Sequence, residues 1–257
     1  MDNDDLPIGR VHSRREILAL FGVSGAALIA TSLAVRAATG GADQQASAIT
    51  EPSGTASTAL PSVCIVTPEE TEGPYFVDEL LYRSDIRTDP SDGAISDGVP
   101  LHLTFNIAGI SGTACTPLAG ATVDIWHCDA LGVYSDERAN NTVGKKFLRG
   151  TQVTDTNGVA QFTTIYPGWY QGRAVHIHFK VRTDPSATTG KAFTSQLYFD
   201  DALTDQVYTQ APYASRGARD TRNNRDSIYA TGGDQLLLTL TKDGDGYTTT
   251  FNVGVNG

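Results

Sequence analysis

The sequence predicts an all-β fold, an antiparallel β-sandwich with long loops, and three observations carry that prediction. Apolar residues alternate with polar or small ones through most of residues 99–253, no long stretch there has helical periodicity, and Gly-, Pro- and Asp-rich turns separate the runs. Leu101, Leu103, Phe105 and Ile107 form one alternating run, Ala121, Val123 and Ile125 a second, and Tyr247, Thr249, Phe251 and Val253 a last one. Successive side chains of a strand point to opposite faces, so each run describes a ribbon with one apolar face. Further strands are expected near residues 158–165, 174–181 and 192–199. The run through Leu236, Leu238 and Leu240 is expected to pair with the last strand as a hairpin across Asp243-Gly244-Asp245-Gly246. Seven or eight such strands suit two packed sheets. Residues 201–230 are polar, contain Pro212 and Gly217, and are expected to form a long loop covering a site.

The chain has 257 residues, and its first forty are unlike the rest. Ser13-Arg14-Arg15-Glu16-Ile17-Leu18 precedes an apolar run from Ala19 to Val35, and small residues follow at Ala37 and Ala38. Together these read as a twin-arginine signal peptide over residues 1–38, so export through that pathway, to the periplasm or the exterior, is expected. A transmembrane anchor is the competing reading. Gly22, Ser24, Gly25, Thr31 and Ser32 interrupt a run already short of the roughly 20 apolar residues a span requires, so no stable anchor is expected. Residues 39–63 are mostly Ala, Gly, Ser, Thr and Gln, which bury too little to offset their ordering entropy, and a flexible linker is expected. The folded domain is then 64–257, long enough for a sizeable core.

Acids outnumber bases, 29 to 19, and the signal region's charges cancel, so the mature net charge stays at −10. No Lys and Arg cluster is present to follow a phosphate backbone, and nucleic acid is not an expected partner. Of the three cysteines, Cys64, Cys115 and Cys128, an oxidising compartment would pair two and leave one, with the pairing open. No CxxC spacing suggests a zinc or redox site.

His176-Ile177-His178 is the sharpest local feature. Residues i and i+2 of a strand share a face, so both imidazoles point one way and are placed to chelate one metal ion. A chance pair on a solvated strand is the bland alternative. Only His102 and His127 remain outside the signal, too few for a copper–zinc superoxide dismutase site. The residues after the pair, Phe179-Lys180-Val181-Arg182-Thr183, lack the glutamate of a cupin-type site. A zinc hydrolase using a further ligand stays open, as does an exported β-sandwich binding module without turnover.

Upstream of the pair lies Thr164-Ile165-Tyr166-Pro167-Gly168-Trp169-Tyr170-Gln171-Gly172-Arg173-Ala174-Val175. With the histidines, this segment closely resembles the intradiol ring-cleavage dioxygenases, the group of protocatechuate 3,4- and catechol 1,2-dioxygenases. The strand ending Val123-Asp124-Ile125-Trp126 and the turn Gly132-Val133-Tyr134 match the family's other tyrosine segment. Glu72-Gly73-Pro74-Tyr75-Phe76, Phe147-Leu148-Arg149-Gly150 and Ser195-Gln196-Leu197-Tyr198-Phe199 are also similar, so the resemblance spans roughly residues 64–254.

The resemblance implies a β-sandwich whose long loops form a site for one Fe(III) per chain, with Tyr134, Tyr170, His176 and His178 as metal ligands. The implied substrates are a small aromatic diol and O2, the ring being cut between its hydroxylated carbons to a muconate-type diacid in aromatic-compound catabolism. Arg173 is the implied catalytic cation, stabilising negative charge on the ring. Tyr134 is implied to leave on substrate binding and take a proton, and Tyr170 to stay. Gln196 and Tyr75 are implied at the substrate pocket; a core aromatic is the alternative for Tyr75. His102 and His127 are read as structural, and Arg149 as a loop anchor. Trivalent iron prefers hard anionic donors, and a phenol of ordinary pKa about 10 ionises at neutral pH only beside such a cation. Iron(II) oxygenases use two histidines and a carboxylate instead. Catechol 1,2-dioxygenases carry an N-terminal helical dimerisation region at the place where a signal and linker are expected here, and a monomer or homodimer is expected.

Overall fold

The alternating runs become strands of two sheets packed face to face, in a computed structural model that describes residues 65–183 and 192–256. The expected signal and linker lie outside the described residues, and among these no helix is long and apolar enough to cross a membrane. One sheet has β1 (Pro100–Ser111) at its centre. β5 (Val159–Ile165) and β2 (Ala114–Pro117) share one edge of it. β9 (Gly246–Asn256), followed by β8 (Thr241–Asp243), lies along the other. The second sheet has the order β4 (Arg149–Val153), β3 (Thr122–Trp126), β6 (His176–Arg182), β7 (Ala192–Tyr198).

The inward faces follow from period two. Leu101, Leu103, Phe105 and Ile107 of β1 are sealed from solvent, as are Val123 and Ile125 of β3 and Ile177, Phe179 and Val181 of β6. Phe179 joins the layers, its ring 5.3 Å from Phe105 and 6.3 Å from Phe251. Each such side chain contributes about 1.5–3 kcal/mol relative to exposure.

The β-sandwich is as expected, with three differences. The β1–β9 pairing is parallel over ten residue pairs, so the first sheet is mixed, whereas the second is antiparallel throughout. The hairpin onto β9 is short: β8 is three exposed residues, and Leu236 and Leu238 are buried outside it, Leu237 bridging to Tyr198. Hydrophobic alternation located those leucines in the core but not in a ladder. Residues 201–230 are also more ordered than a loop. They open with α1 (Asp201–Val207), whose N-terminal amide at Leu203 is capped by Asp200, and continue through 3-10 turns. Seven residues are too few to show helical periodicity.

Residues 70–83 form a strap across the outer face of the second sheet. Glu70 N–H donates to Thr194 on β7, and Arg83 N–H to Thr151 on β4, so the strap runs from one edge to the other. Between them Glu72 pairs with Lys180 at 2.5 Å, Asp78 with Arg182 at 2.9 Å, and the Phe76 ring lies 4.9 Å from that of Trp126. The charges on β6 that face outward therefore meet acids of the strap rather than water.

Candidate metal centre

His176 and His178 lie on the outward face of β6, beneath the strap. Register sets His176 opposite Tyr198, and His178 between Trp126 and Gln196, so these five residues share one face. The two Nε2 atoms are 3.0 Å apart, and both rings are buried. His176 donates Nδ1–H to the Ala174 carbonyl at 2.7 Å, which leaves its Nε2 with a free lone pair. Trp126 stacks on the His178 ring at 4.9 Å and 5°. Gly73 closes the other side, and a Cβ there would come within 3.2 Å of His178 Cε1. Its φ of +73° also favours glycine.

Both tyrosines arrive on turns. Asp129 Oδ1 accepts from Leu131 and Val133 N–H after β3, shaping the turn that presents Tyr134. The turn at 167–170 packs against it, with Gly168 N–H donating to the Asp129 carbonyl. Gly132 permits the contact: it has φ +83°, and a Cβ would fall 2.1 Å from the Trp169 oxygen. Arg149 anchors this loop to the strap, donating to Ser135 Oγ, the Ser135 carbonyl and the Tyr75 carbonyl. The Tyr170 hydroxyl reaches His176 Nε2 at 3.2 Å, and the Tyr134 and Tyr170 ring centroids are 5.6 Å apart. The Tyr134 hydroxyl is buried with no hydrogen-bond partner. Tyr75 stacks on Tyr134 at 4.2 Å and meets Tyr170 edge-on, so it walls both phenols.

Burial pushes Tyr170 up to about 12 despite the nearby Arg173, and burial with neighbouring Tyr170 holds Tyr134 well above the ordinary tyrosine range. Burial, helped by Arg173, holds His176 down at about 3; burial and the adjacent His176 hold His178 well below its ordinary range. Without a cation the site is thus two neutral imidazoles in Nε2–Nε2 contact and two neutral phenols, one hydroxyl of which has no partner. A hard trivalent cation would suit all four groups and would supply the charge that phenolate formation needs. Among the described residues no cluster of three His, Cys, Asp or Glu offers another metal set.

Arg173 stands beside this group. Its Nε donates to Asp226 at 2.8 Å and its Nη2 to Gln196 Oε1 at 2.5 Å. Gln196 is engaged at both ends, since its Nε2 donates to the Thr71 carbonyl of the strap. Asp226 and Glu70 are functional-site neighbours that sequence reasoning missed. Asp226 lies in the polar stretch 201–230 with no local pattern around it, and only its burial marks it. The same stretch borders the 167–173 turn through Trp169, whose indole donates to the Gly217 carbonyl.

The remaining histidines are placed elsewhere. His102 is exposed on β1 beside Thr163. His127 is fully buried, donates Nδ1–H to the Cys128 carbonyl and accepts from Thr164. Cys115 is disulfide-bonded, and the thiol left over is buried Cys128. Burial holds His127 at about 4, so an unfolded chain takes up near 6.5 a proton the fold refuses until about 4. His127 therefore contributes stability that is complete above pH 6.5 and is lost as pH falls, at about 1.4 kcal/mol per unit. Urea midpoints measured between pH about 7 and about 5 should fall less steeply in His127→Gln than in the parent. Parallel slopes would count against it.

The family model described as Dioxygenase matches residues 71–224, more than half the chain. A chlorocatechol 1,2-dioxygenase of Pseudomonas putida is 30% identical over 148 residues, covering 50% of this chain and 52% of that protein. The chain spans about half the length of the curated relatives it matches. An intradiol ring-cleavage dioxygenase structure from Tetranychus urticae superposes with TM-score 0.65 at 30% identity, covering 75% of this chain and 95% of that one. The dioxygenase domain of a carbohydrate-binding fusion from Streptomyces sp. SirexAA-E gives TM-score 0.55 at 30% identity, covering 75% and 99%. Matched in sequence across both tyrosines and both histidines, and in fold over nearly the whole of two solved relatives, the chain belongs to the intradiol ring-cleavage dioxygenases.

Proposed function

We propose that the protein opens catechol-type rings with O2 between the hydroxylated carbons, using one Fe(III) per chain held by Tyr134, Tyr170, His176 and His178. The convergence of these four side chains in a buried space supports the reading. An Fe(III) ion held by these four side chains would supply Lewis acidity toward a deprotonated diol, making its ring reactive toward O2. One ring carbon–carbon bond breaks and both oxygen atoms enter a muconate-type diacid. Tyr134, whose buried hydroxyl meets no partner within hydrogen-bond geometry, would be the group free to take a substrate proton at its oxygen, while Tyr170, His176 and His178 would hold the ion. Arg173, fixed by Asp226 and Gln196, faces the negative charge that grows on the ring without having to reorganise. Tyr75 limits the pocket beside Tyr134, and Gln196 serves the substrate through Arg173. Export through the twin-arginine route belongs to the same proposal; the Arg14–Arg15 pair and the disulfide at Cys115 support it.

Protein purified without added metal should carry about one iron per chain and be red-brown from phenolate-to-iron charge transfer, by analogy with one metal per four-ligand site. It should convert catechol to the ring-opened diacid, and dithionite should bleach the colour and stop turnover. A colourless, zinc-loaded protein with full ring-opening activity would overturn the ferric reading, and one without it would return the site to the hydrolase reading.

A further inference from the structure

Glu70 is the first residue of the strap and lies behind Arg173. It is 7% exposed, its Oε2 accepts from the Tyr198 hydroxyl at 2.7 Å, and its Oε1 has no partner. The other charged groups facing it are Arg173, just before β6, and Asp226 of the polar stretch. A carboxylate buried on so few bonds is a poor stabilising element, since an apolar side chain would occupy the space at lower desolvation cost. Its position in the hydrogen-bond chain gives it a use.

Tyr198 has one hydroxyl hydrogen and two acceptors within reach, Glu70 Oε2 at 2.7 Å and Gln196 Oε1 at 3.3 Å. While Glu70 takes that hydrogen, Gln196 Oε1 stays available to Arg173 Nη2, and the Tyr198 oxygen faces the same Nη2 at 3.5 Å. Without an acceptor at residue 70, the hydroxyl turns to Gln196 Oε1 and draws the amide away from the direction that suits Arg173 Nη2. We propose that Glu70 is a positioning residue: by claiming the Tyr198 hydroxyl it leaves Gln196 to hold the Arg173 guanidinium in its working orientation. Burial raises Glu70 to about 7, which is consistent with a carboxyl that contributes as an acceptor and not as a strong permanent charge.

The inference rests on the proposed ring cleavage, and the test separates the two. If the iron-loaded parent fails to open catechol, the function falls; the variants below are judged only against an active parent. Glu70→Leu should lower kcat by roughly 10- to 100-fold, as small misplacements of a catalytic group do, with KM and iron content unchanged. Glu70→Gln, whose amide oxygen can still accept from Tyr198, should restore kcat to within about threefold of the parent, less than a tenfold effect. Tyr198→Phe, which removes the competing hydroxyl, should be less impaired than Glu70→Leu, and the double variant Glu70→Leu/Tyr198→Phe should regain most of the kcat lost in the leucine variant. Should the leucine variant not fold, Glu70→Ala against Glu70→Ala/Tyr198→Phe makes the same comparison. A Tyr198→Phe variant as poor as the leucine one, a glutamine variant as poor as the leucine one, or a double variant no better than Glu70→Leu would overturn the assignment.

Discussion

Arg173→Ala lowers kcat by roughly 10²-fold or more while iron content and colour persist. The guanidinium is 16% exposed and held by Asp226 and Gln196, so it meets the reacting ring already oriented. Groups preorganised toward developing charge act mainly in the transition state, and their removal lowers kcat and kcat/KM together. The substitution leaves Asp226 without its cation, yet its carboxylate still accepts from the backbone N–H groups of Ala174, Ile228 and Tyr229. The variant therefore folds, and the loss reads on chemistry. Arg173→Lys should also be impaired, since one ammonium cannot meet Asp226 and Gln196 along two fixed directions. Steady-state kinetics with metal analysis decide it: alanine rates within twofold of the parent would make Arg173 a structural cation.

The second large effect separates the tyrosines. Tyr170, within 3.2 Å of His176 Nε2, is the ligand expected to stay, and Tyr134, with its unpartnered hydroxyl, the one expected to leave. Tyr170→Phe should weaken iron retention by more than the 10- to 100-fold typical of losing an outer hydrogen-bond partner. It should also shift the colour of both the resting protein and its catechol complex. Tyr134→Phe should change the resting colour and slow turnover, and leave the anaerobic catechol complex close to the parent's. Visible spectra with and without catechol, recorded anaerobically, check both. The reverse pattern exchanges the two roles, and unchanged bands in both variants remove the tyrosines from the metal.

What was legible in the sequence follows the range of the forces involved. Alternation at Leu101–Ile107 or Val123–Ile125 is local, because period two is a property of the strand itself, and it marked the core faces correctly. The His176-Ile177-His178 spacing likewise put both imidazoles on one face without reference to other segments. The direction in which β9 meets β1 is not local: parallel and antiparallel neighbours present the same apolar face, so Tyr247–Val253 could not reveal it. Asp226 and Glu70 escaped for the same reason. Each acquires its role through a partner far along the chain, Arg173 at 53 positions and Tyr198 at 128.

Those separations bear on how the protein is made. The strap is synthesised before any strand, but its partners Lys180, Gln196 and Tyr198 lie 108, 125 and 128 residues downstream, and Asp226 follows later still. Contacts so distant form only after the loop between them has been closed, and topologies dominated by them fold slowly. The strap can dock only once the second sheet exists, and the gap around the four donors shuts when it docks. A growing chain therefore carries its histidine pair uncovered until β7, which supplies Gln196 and Tyr198, has been made.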